Sequence, residues 1–430
     1  TLVISHINCK TLEKTITVSK DTYQKILLEH HSEELEEITV KGVVVSKKTS
    51  SLSETIITKD IIESYSSASL GDALKEVPGI SSINTGNSIV KPMINGMHSS
   101  RIIVMNNGVR LQDQEWGIEH APNVDINSSE SVSVIKGAGA LAYGSDAIGG
   151  VVILNPKKPI KIDSLYGKTI TGFQSNGRGY NIATSLSKTY KSGYFINGNA
   201  SYKRFGDFEA ADYFLTNTGS ESFAFSLETG YKTFEKGWSV FISHVSNDIG
   251  ILRASHVGNQ DDLNDAINSP EPIIQNPFSY LIDAPRQEVK HFIGKVNFFQ
   301  RFEELGKLTL QYDFQENQRF EFDRRIGGRR DIPAVDLNLQ THSGTVDFLF
   351  DSNDQLEIQT GILFRFQDNF ANPETGVRRI IPDYQRVDLG FFTTGVYELS
   401  DRVELDFGIR YDYNHYDVKK FYQISRWEAL

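Results

Sequence analysis

Beyond residue 167 the chain alternates apolar and polar positions in long segments: Lys168–Gln174, Tyr180–Thr189, Gly193–Arg204, Phe223–Thr233, Trp238–Val245, Val289–Phe299, Leu308–Glu316, Leu337–Phe350, Leu356–Phe366, Val387–Tyr397 and Val403–Tyr413. A period of two predicts β-strands with one apolar face. Phe223, Phe225, Leu227 and Thr229 fall on one side, with Ser226, Glu228 and Gly230 on the other. Many segments are close to the roughly 9–11 residues with which a tilted strand crosses a bilayer, and some are longer. A soluble sandwich shares the alternation. Strand length and the long polar insert between Val245 and Val289 favour a membrane barrel.

Ahead of Pro159 the pattern is mixed. Lys59-Asp60-Ile61-Ile62 opens one helical stretch. Ser69 to Val77 forms another, with Ser69 as N-cap, Leu70, Ala73, Leu74 and Val77 on one face, and Pro78-Gly79 as the stop. Strands are expected at Arg101 to Met105, Ser131 to Ile135 and Gly150 to Leu154, with a tight turn at Asn106-Asn107-Gly108. Residues 54–159 therefore read as an α/β domain and residues 160–430 as the start of a barrel. Residues 32–53, rich in Glu, Ser, Thr and Lys around one apolar patch, read as a mobile linker. Residues 1–31 hold short alternating segments, Leu2 to Ile7, Thr15 to Val18 and Tyr23 to Leu28, as at the end of a small β-domain.

Composition narrows the function. No run approaches about 18 apolar residues, so no helical membrane span is present. A mean hydropathy of −0.33 is what alternating strands give. The net charge of −11 argues against nucleic acid as a partner, because phosphate binding wants a basic face. Cys9 is the single cysteine, which excludes an intrachain disulfide and reads as an inert packed thiol. No nucleophile–base pair or zincin pattern appears and no cofactor is expected, so an enzyme is the least favoured class.

Four blocks carry a family resemblance. They are Ser69-Leu70-Gly71-Asp72-Ala73-Leu74 with Val77-Pro78-Gly79-Ile80, then Ile94-Asn95-Gly96, then Asn106-Asn107-Gly108-Val109-Arg110, and finally VIKGAGALAYGSDAIGGVV at Val134 to Val152. In this order they resemble the plug domain of TonB-dependent outer-membrane receptors. Glycines at 137, 139, 144, 149 and 150 suit close backbone approach inside a crowded lumen. Leu35-Glu36-Glu37-Ile38-Thr39-Val40-Lys41-Gly42 resembles the TonB box of receptors from the Bacteroidetes. Its β-prone centre can add as an edge strand to a partner sheet. Residues 1–31 resemble the end of a carboxypeptidase-regulatory-like domain, a small β-sandwich. The resemblance implies an all-β transmembrane barrel of about 22 strands around the plug, of which this chain would hold about half. It also implies the outer membrane of a Gram-negative bacterium, with the box and the plug underside facing the periplasm. The implied partners are outer-membrane lipid and the C-terminal domain of TonB. Two positions depart from the family pattern, Asn95 in place of Arg and Glu130-Ser131-Val132-Ser133 in place of Glu-Arg-Ile-Glu, while Lys136 keeps a cation. Fewer ionic contacts between plug and wall are expected.

Ligand choice rests on Gln112-Asp113-Gln114-Glu115-Trp116-Gly117-Ile118-Glu119-His120. The segment resembles a plug loop of a branch that includes zinc and iron-complex importers, where it faces the outside and touches the ligand. Gln112, Asp113, Glu115, Trp116, Glu119 and His120 are the candidate contacts. Glu119 and His120 have the right chemistry for zinc, with His256, Asp261 and Asp262 of the long insert as a second set. Equally, Glu119 and His120 could pin the loop by hydrogen bonds, and a siderophore or haem would use Trp116 and loop aromatics instead. The expected function is TonB-dependent import of a scarce metal or metal complex. The alternative is a surface receptor or adhesin. A passive porin fits neither a plug in the lumen nor a TonB box.

Overall fold

A computed structural model of the chain describes residues 2–6, 9–15, 26, 43–47, 53–114, 117, 119–160, 162–255, 259–325, 328–353, 355–400 and 403–420. The Leu35 to Gly42 segment, Glu115, Trp116 and His256 lie outside them. At the start, β1 (Leu2–His6) pairs antiparallel with β2 (Cys9–Lys14). The second strand thus precedes the Thr15 to Val18 stretch expected from alternation, and Thr15 falls past its end. The pairing runs from Leu2 opposite Lys14 to Ile4 opposite Leu12 and shifts register before His6 meets Cys9.

The plug follows. Its strands are β3 (Val43–Lys47), β4 (Ser53–Ile57), β5 (Ile80–Asn84), β6 (Val90–Ile94), β7 (Ile102–Asn106), β8 (Val109–Arg110), β9 (Ser131–Lys136) and β10 (Gly150–Asn155). Helices α1 (Lys59–Ser64) and α2 (Leu70–Leu74) fall between β4 and β5. Six strands form one sheet in the order β3-β4-β9-β10-β7-β8, and only β10 and β7 run parallel within it. The linker reading of residues 32–53 is corrected at Val43–Lys47. This apolar patch pairs with β4 from Val43 opposite Ile57 to Lys47 opposite Ser53, so it is the outer strand of the plug sheet. A β-branched run beside an open strand edge gains more by pairing than by staying solvated.

The central plug strands are buried on both faces. Val104, Val132, Val134, Val152 and Leu154 join Leu70, Ala73 and Leu74 of α2 in one cluster. Ile103, Met105, Ile135 and Val151 join Ala140 in a second. This two-sided burial explains why these strands read as continuous apolar runs rather than alternating ones. Helix α2 begins where expected. Ser69 Oγ accepts from the Asp72 amide at 3.2 Å, and Asp72 accepts from the Ser69 amide at 3.2 Å. Such a cap is worth about 1 kcal/mol. At Gly71 a Cβ would stand 2.3 Å from the Val90 carbonyl oxygen, so only glycine lets α2 lie on β6.

The wall is one eleven-stranded antiparallel sheet in sequential order: β11 (Ser164–Gln174), β12 (Gly179–Thr189), β13 (Tyr194–Phe205), β16 (Ser220–Lys232), β17 (Lys236–Gly250), β18 (Arg286–Phe302), β19 (Gly306–Phe322), β20 (Val335–Asn353), β21 (Leu356–Ala371), β22 (Asp383–Ser400) and β23 (Val403–Lys419). A small hairpin, β14 (Phe208–Glu209) with β15 (Phe214–Leu215), sits between β13 and β16. Each of the eleven expected segments lies on its own wall strand, and β18 to β23 run to 16–19 residues, past the apolar core that alternation marks. At one end the strands are joined by short turns such as 190–193, 233–235 and 303–305, and at the other by the long segments 206–219, 251–285, 323–334 and 372–382. The insert carries α3 (Gln260–Asn268).

The two faces of the wall decide between sandwich and membrane barrel. Outward positions such as Ile182, Leu227, Val296, Ile362, Phe391 and Ile409 are apolar and exposed. Inward positions such as Gln315, Asn317, Thr341, Gln367 and Asn369 are polar and buried. A sandwich would bury the apolar face, whereas a membrane barrel turns it to lipid and keeps its interior polar. We expect Ile362→Arg in the full-length receptor to cost about 2–4 kcal/mol in lipid vesicles if the site lies near the midplane. Denaturant titration checks this, with Ile362→Leu unchanged. Equal stability of the two variants would remove the lipid-facing assignment.

Candidate functional site

Beyond β8, the described residues Gln112, Gln114, Glu119 and His120 contact β18, β19 and β21. The wall holds the backbone here. Gln315 Oε1 accepts from the Gln112 amide at 3.1 Å, and Gln315 Nε2 donates to the Arg110 carbonyl at 2.9 Å. Gln367 Nε2 donates to Gln112 Oε1 at 2.9 Å. Gln114 Nε2 donates to Asn317 Oδ1 at 3.2 Å, and Gln287 Nε2 donates to the Glu119 carbonyl at 3.3 Å. Asp113 is buried and spends Oδ2 on the Asn123 amide at 2.8 Å, which closes the loop on itself.

His120 is the pin. It is 3% exposed. Nδ1 lies 3.2 Å from both the Gly117 amide and the Gln114 carbonyl oxygen, and Nε2 lies 2.9 Å from Glu321 Oε1 on β19. Burial lowers the imidazole pKa and outweighs the opposite pull of Glu321, so the ring is neutral at pH 7. Lys91, fully buried, donates to the Gly117 carbonyl at 2.7 Å from the other side. Both ring nitrogens of His120 thus have protein partners. The neighbouring Glu119 is exposed instead and lines a cavity of about 430 Å³ between plug and wall at the long-loop end. Asp261 and Asp262 lie in the first turn of α3, where their amides donate to the Asn259 side chain at 2.8 and 2.9 Å. Among the described residues no group of three or more His, Cys, Asp or Glu side chains could hold a metal ion.

The positions that depart from the family pattern find partners inside the plug. Ser131 and Ser133 each accept from Asn155 Nδ2, at 3.0 and 2.8 Å. Lys136 donates to the Pro78 carbonyl at 3.4 Å. Arg110 pairs with Asp146, and that guanidinium overrides the opposing effect of burial to hold the Asp146 carboxyl below its usual pKa. Towards the wall the plug uses mainly amides and carbonyls, as where Arg410 donates to the Leu141 and Ala142 carbonyls at 3.1 and 3.3 Å.

Residues 46–151 match the TonB-dependent Receptor Plug Domain family. The chain is 22% identical over 354 residues to the vitamin B12 transporter BtuB of Photobacterium profundum, an alignment covering 80% of this chain and 51% of that protein. Over 102 residues it is 38% identical to the BtuB of Vibrio vulnificus, covering 23% of this chain and 17% of that one. Among solved structures, the copper transporter OprC superposes with a TM-score of 0.65 at 12% identity, covering 88% of this chain and 56% of its own. The pyoverdine-bound FpvA of Pseudomonas aeruginosa gives 0.64 at 16%, covering 87% and 53%. The chain therefore carries a TonB-dependent receptor plug, seated against a wall with the architecture of the barrels of such receptors. It spans about half the length of BtuB from Photobacterium profundum.

Sequence reading singled out the loop but not what holds it. Lys91 stands alone as a cation in the apolar run Ile89 to Ile94, and that isolation was a legible sign of a buried role. Gln287, Gln315 and Gln367 carry no such sign, because a glutamine on an alternating strand looks the same whether it faces water or a plug. The loop's protection should follow the His120 titration. Its pKa is lowered on folding, so attachment is complete above an unfolded value of about 6.5 and is lost as pH falls through the lowered value. Hydrogen exchange at the Gly117 amide in the full-length receptor checks this. We expect slow exchange at pH 7.5, acceleration on acidification beyond the ordinary pH dependence of exchange, and fast exchange at both pH values in His120→Ala.

Proposed function

We propose that the full-length protein imports a metal-containing organic complex across the outer membrane of a Gram-negative bacterium, coupled to TonB through Leu35 to Gly42. The observation that carries this reading is the plug itself. Its backbone is bound into the inner wall by Lys295, Gln311, Gln315 and Gln287. A plug held in this way makes the lumen useless as a passive pore and calls for an external pull. The vitamin B12, copper and pyoverdine proteins similar to this chain support the transport class. The long-loop end corresponds to the outside in this reading, because outer-membrane barrels have short periplasmic turns and long extracellular loops.

For the ligand, an organic complex is preferred to a bare ion. His120 has both nitrogens engaged, and a cavity of about 430 Å³ suits a molecule better than a bare cation. Glu119, Gln112 and Trp116 remain the proposed contacts, with His120 as a support.

Two experiments test these statements. Ile38→Pro removes an edge-strand donor and fixes φ, so uptake of labelled cobalamin, ferric siderophore or haem, whichever binds, should fall to background with unchanged binding and surface expression. Normal uptake would reject the coupling assignment. Zinc titration of the full-length receptor separates the ligand classes. If zinc were the ligand, His120→Ala would weaken binding by about 10–100-fold, the loss typical of disturbing a metal site. We expect no such change.

A further inference from the structure

The plug does not meet the wall evenly. Against β18 and β19 the contact is close, and at Lys295 it is buried. Lys295 Nζ donates to the Asn107 carbonyl at 2.6 Å and to its side-chain oxygen at 2.9 Å, and Gln311 Nε2 donates to the Gly108 carbonyl at 3.0 Å. Against β11 to β16 lie three cavities of about 430, 130 and 40 Å³, the largest of which also reaches Asn247 and Ile249 on β17, Gln287 and Val289 on β18 and Arg319 on β19. They adjoin one another. The first and the 130 Å³ cavity share Asn127, and the two smaller ones share Lys59, Glu130, Lys157, Ser185 and Asn199. Together they run from Gln174 and Asn176 at the long-loop end to Asn155 and Lys157 at the turn end.

The lining is mixed, with Phe205 and Phe208 in the largest cavity, but one row along the wall is polar. Ser185, Asn199 and Ser226 are register neighbours across β12, β13 and β16 and form a row along the wall. Two buried amide atoms on this route have no protein partner: Nδ2 of Asn123 in the largest cavity and Oδ1 of Asn197 in the smallest, each residue 6% exposed. A buried amide atom without a protein partner calls for a hydrogen-bonding occupant. Plug and wall do touch here, through Ser201 to Asp125 at 2.8 Å, Lys203 to the Ala68 carbonyl at 3.2 Å, Asn181 to Ser66 at 3.3 Å and Asn197 to the Lys157 carbonyl at 3.5 Å. The Lys168–Glu63 ion pair crosses the gap beside the 130 Å³ cavity.

We propose that the passage for a hydrophilic solute lies in this sector, between the 3-10 turn at residues 126–128 of the plug and strands β11, β12, β13 and β16, while Lys295 of β18 and Gln311 and Gln315 of β19 hold the plug on the other side. The occupants it fits carry uncharged hydrogen-bonding groups, amides and hydroxyls, with water as the resting occupant. The Lys168–Glu63 pair acts as the bar across it. This rests on the importer reading only for its direction and its coupling, because the cavities and their lining stand without it.

The test is cysteine accessibility in the purified full-length receptor in lipid nanodiscs, with Cys9→Ser and the unmodified receptor as baseline. Single cysteines replace Ser185 and Asn199 in the passage, and Thr341 and Ser343 on β20. The latter two are also small, polar and inward-facing, but both are buried, and Thr341 is hydrogen-bonded to Gln367. With a trimethylammonium methanethiosulfonate we expect Ser185→Cys and Asn199→Cys to react at least about ten-fold faster than the β20 pair, and faster still when Glu63→Gln removes the bar. Equal or reversed rates overturn the proposal. In respiring cells, a further energy-dependent rise at Ser185→Cys and Asn199→Cys that Ile38→Pro abolishes supports it, and a rise confined to the β20 positions overturns it. A gradient in nanodiscs with no energy-dependent rise anywhere would fault the importer reading and leave the position of the passage standing.

Discussion

A polypeptide packed inside a barrel must find partners for its own backbone, and the wall must supply them. The turn and loop from Asn106 to Glu119 have few strand neighbours on their outer side, yet much of that stretch is buried. An unpaired buried amide or carbonyl costs about 1–3 kcal/mol, so a loop of this length could not stay in place without outside help. Lys295, Gln311, Gln315 and Gln287 give that help from four positions on the wall. The rest of the architecture follows. A wall that satisfies a plug must be polar inside, a polar inside with a lipid outside forces strict alternation, and strict alternation keeps mean hydropathy at −0.33 in a membrane protein.

The same constraint gives the plug its division of labour. Its apolar interior is nearly self-sufficient, with Phe241 and Ile293 as the two wall residues that enter the larger cluster. Its periphery is amide-rich and holds to the wall by many weak bonds. Each nets about 1 kcal/mol, so together they fix a position that local rearrangement can still give up in part. Ionic grip is mostly spent elsewhere, as in Arg110–Asp146 within the plug and Arg410–Asp412 along one wall strand.

His120 shows how a chemically suggestive residue is absorbed by structure. A histidine beside a glutamate in a loop has the chemistry of a metal site. In the fold the two side chains part company. Glu119 is exposed toward a cavity, and His120 is buried between Gly117 and Glu321. The carboxylate that completes the histidine's environment lies 201 residues away on β19, so no local pattern could have named it.

The sequence by itself determined the local and periodic features. Ser69 and Asp72 set the start of α2, and the glycine block with its apolar flanks marked the plug. The eleven wall strands were legible because a period of two survives whatever lies beyond each face. Their full lengths were not, since β18 and β20 continue through polar residues such as Gln287 and Asp336 that lose their alternation in a linear reading. Val43–Lys47 was obscured by its charged neighbours and became a strand only because β4 offered an open edge. Tertiary structure alone decided which inward-facing polar residues line cavities and which are buried among their neighbours. Ser185 and Asn199 line cavities beside the plug, whereas Thr341 and Ser343 are buried and Thr341 is bonded to Gln367 of the next strand. Distance between segments remote in sequence is set by packing, which a one-dimensional pattern does not contain.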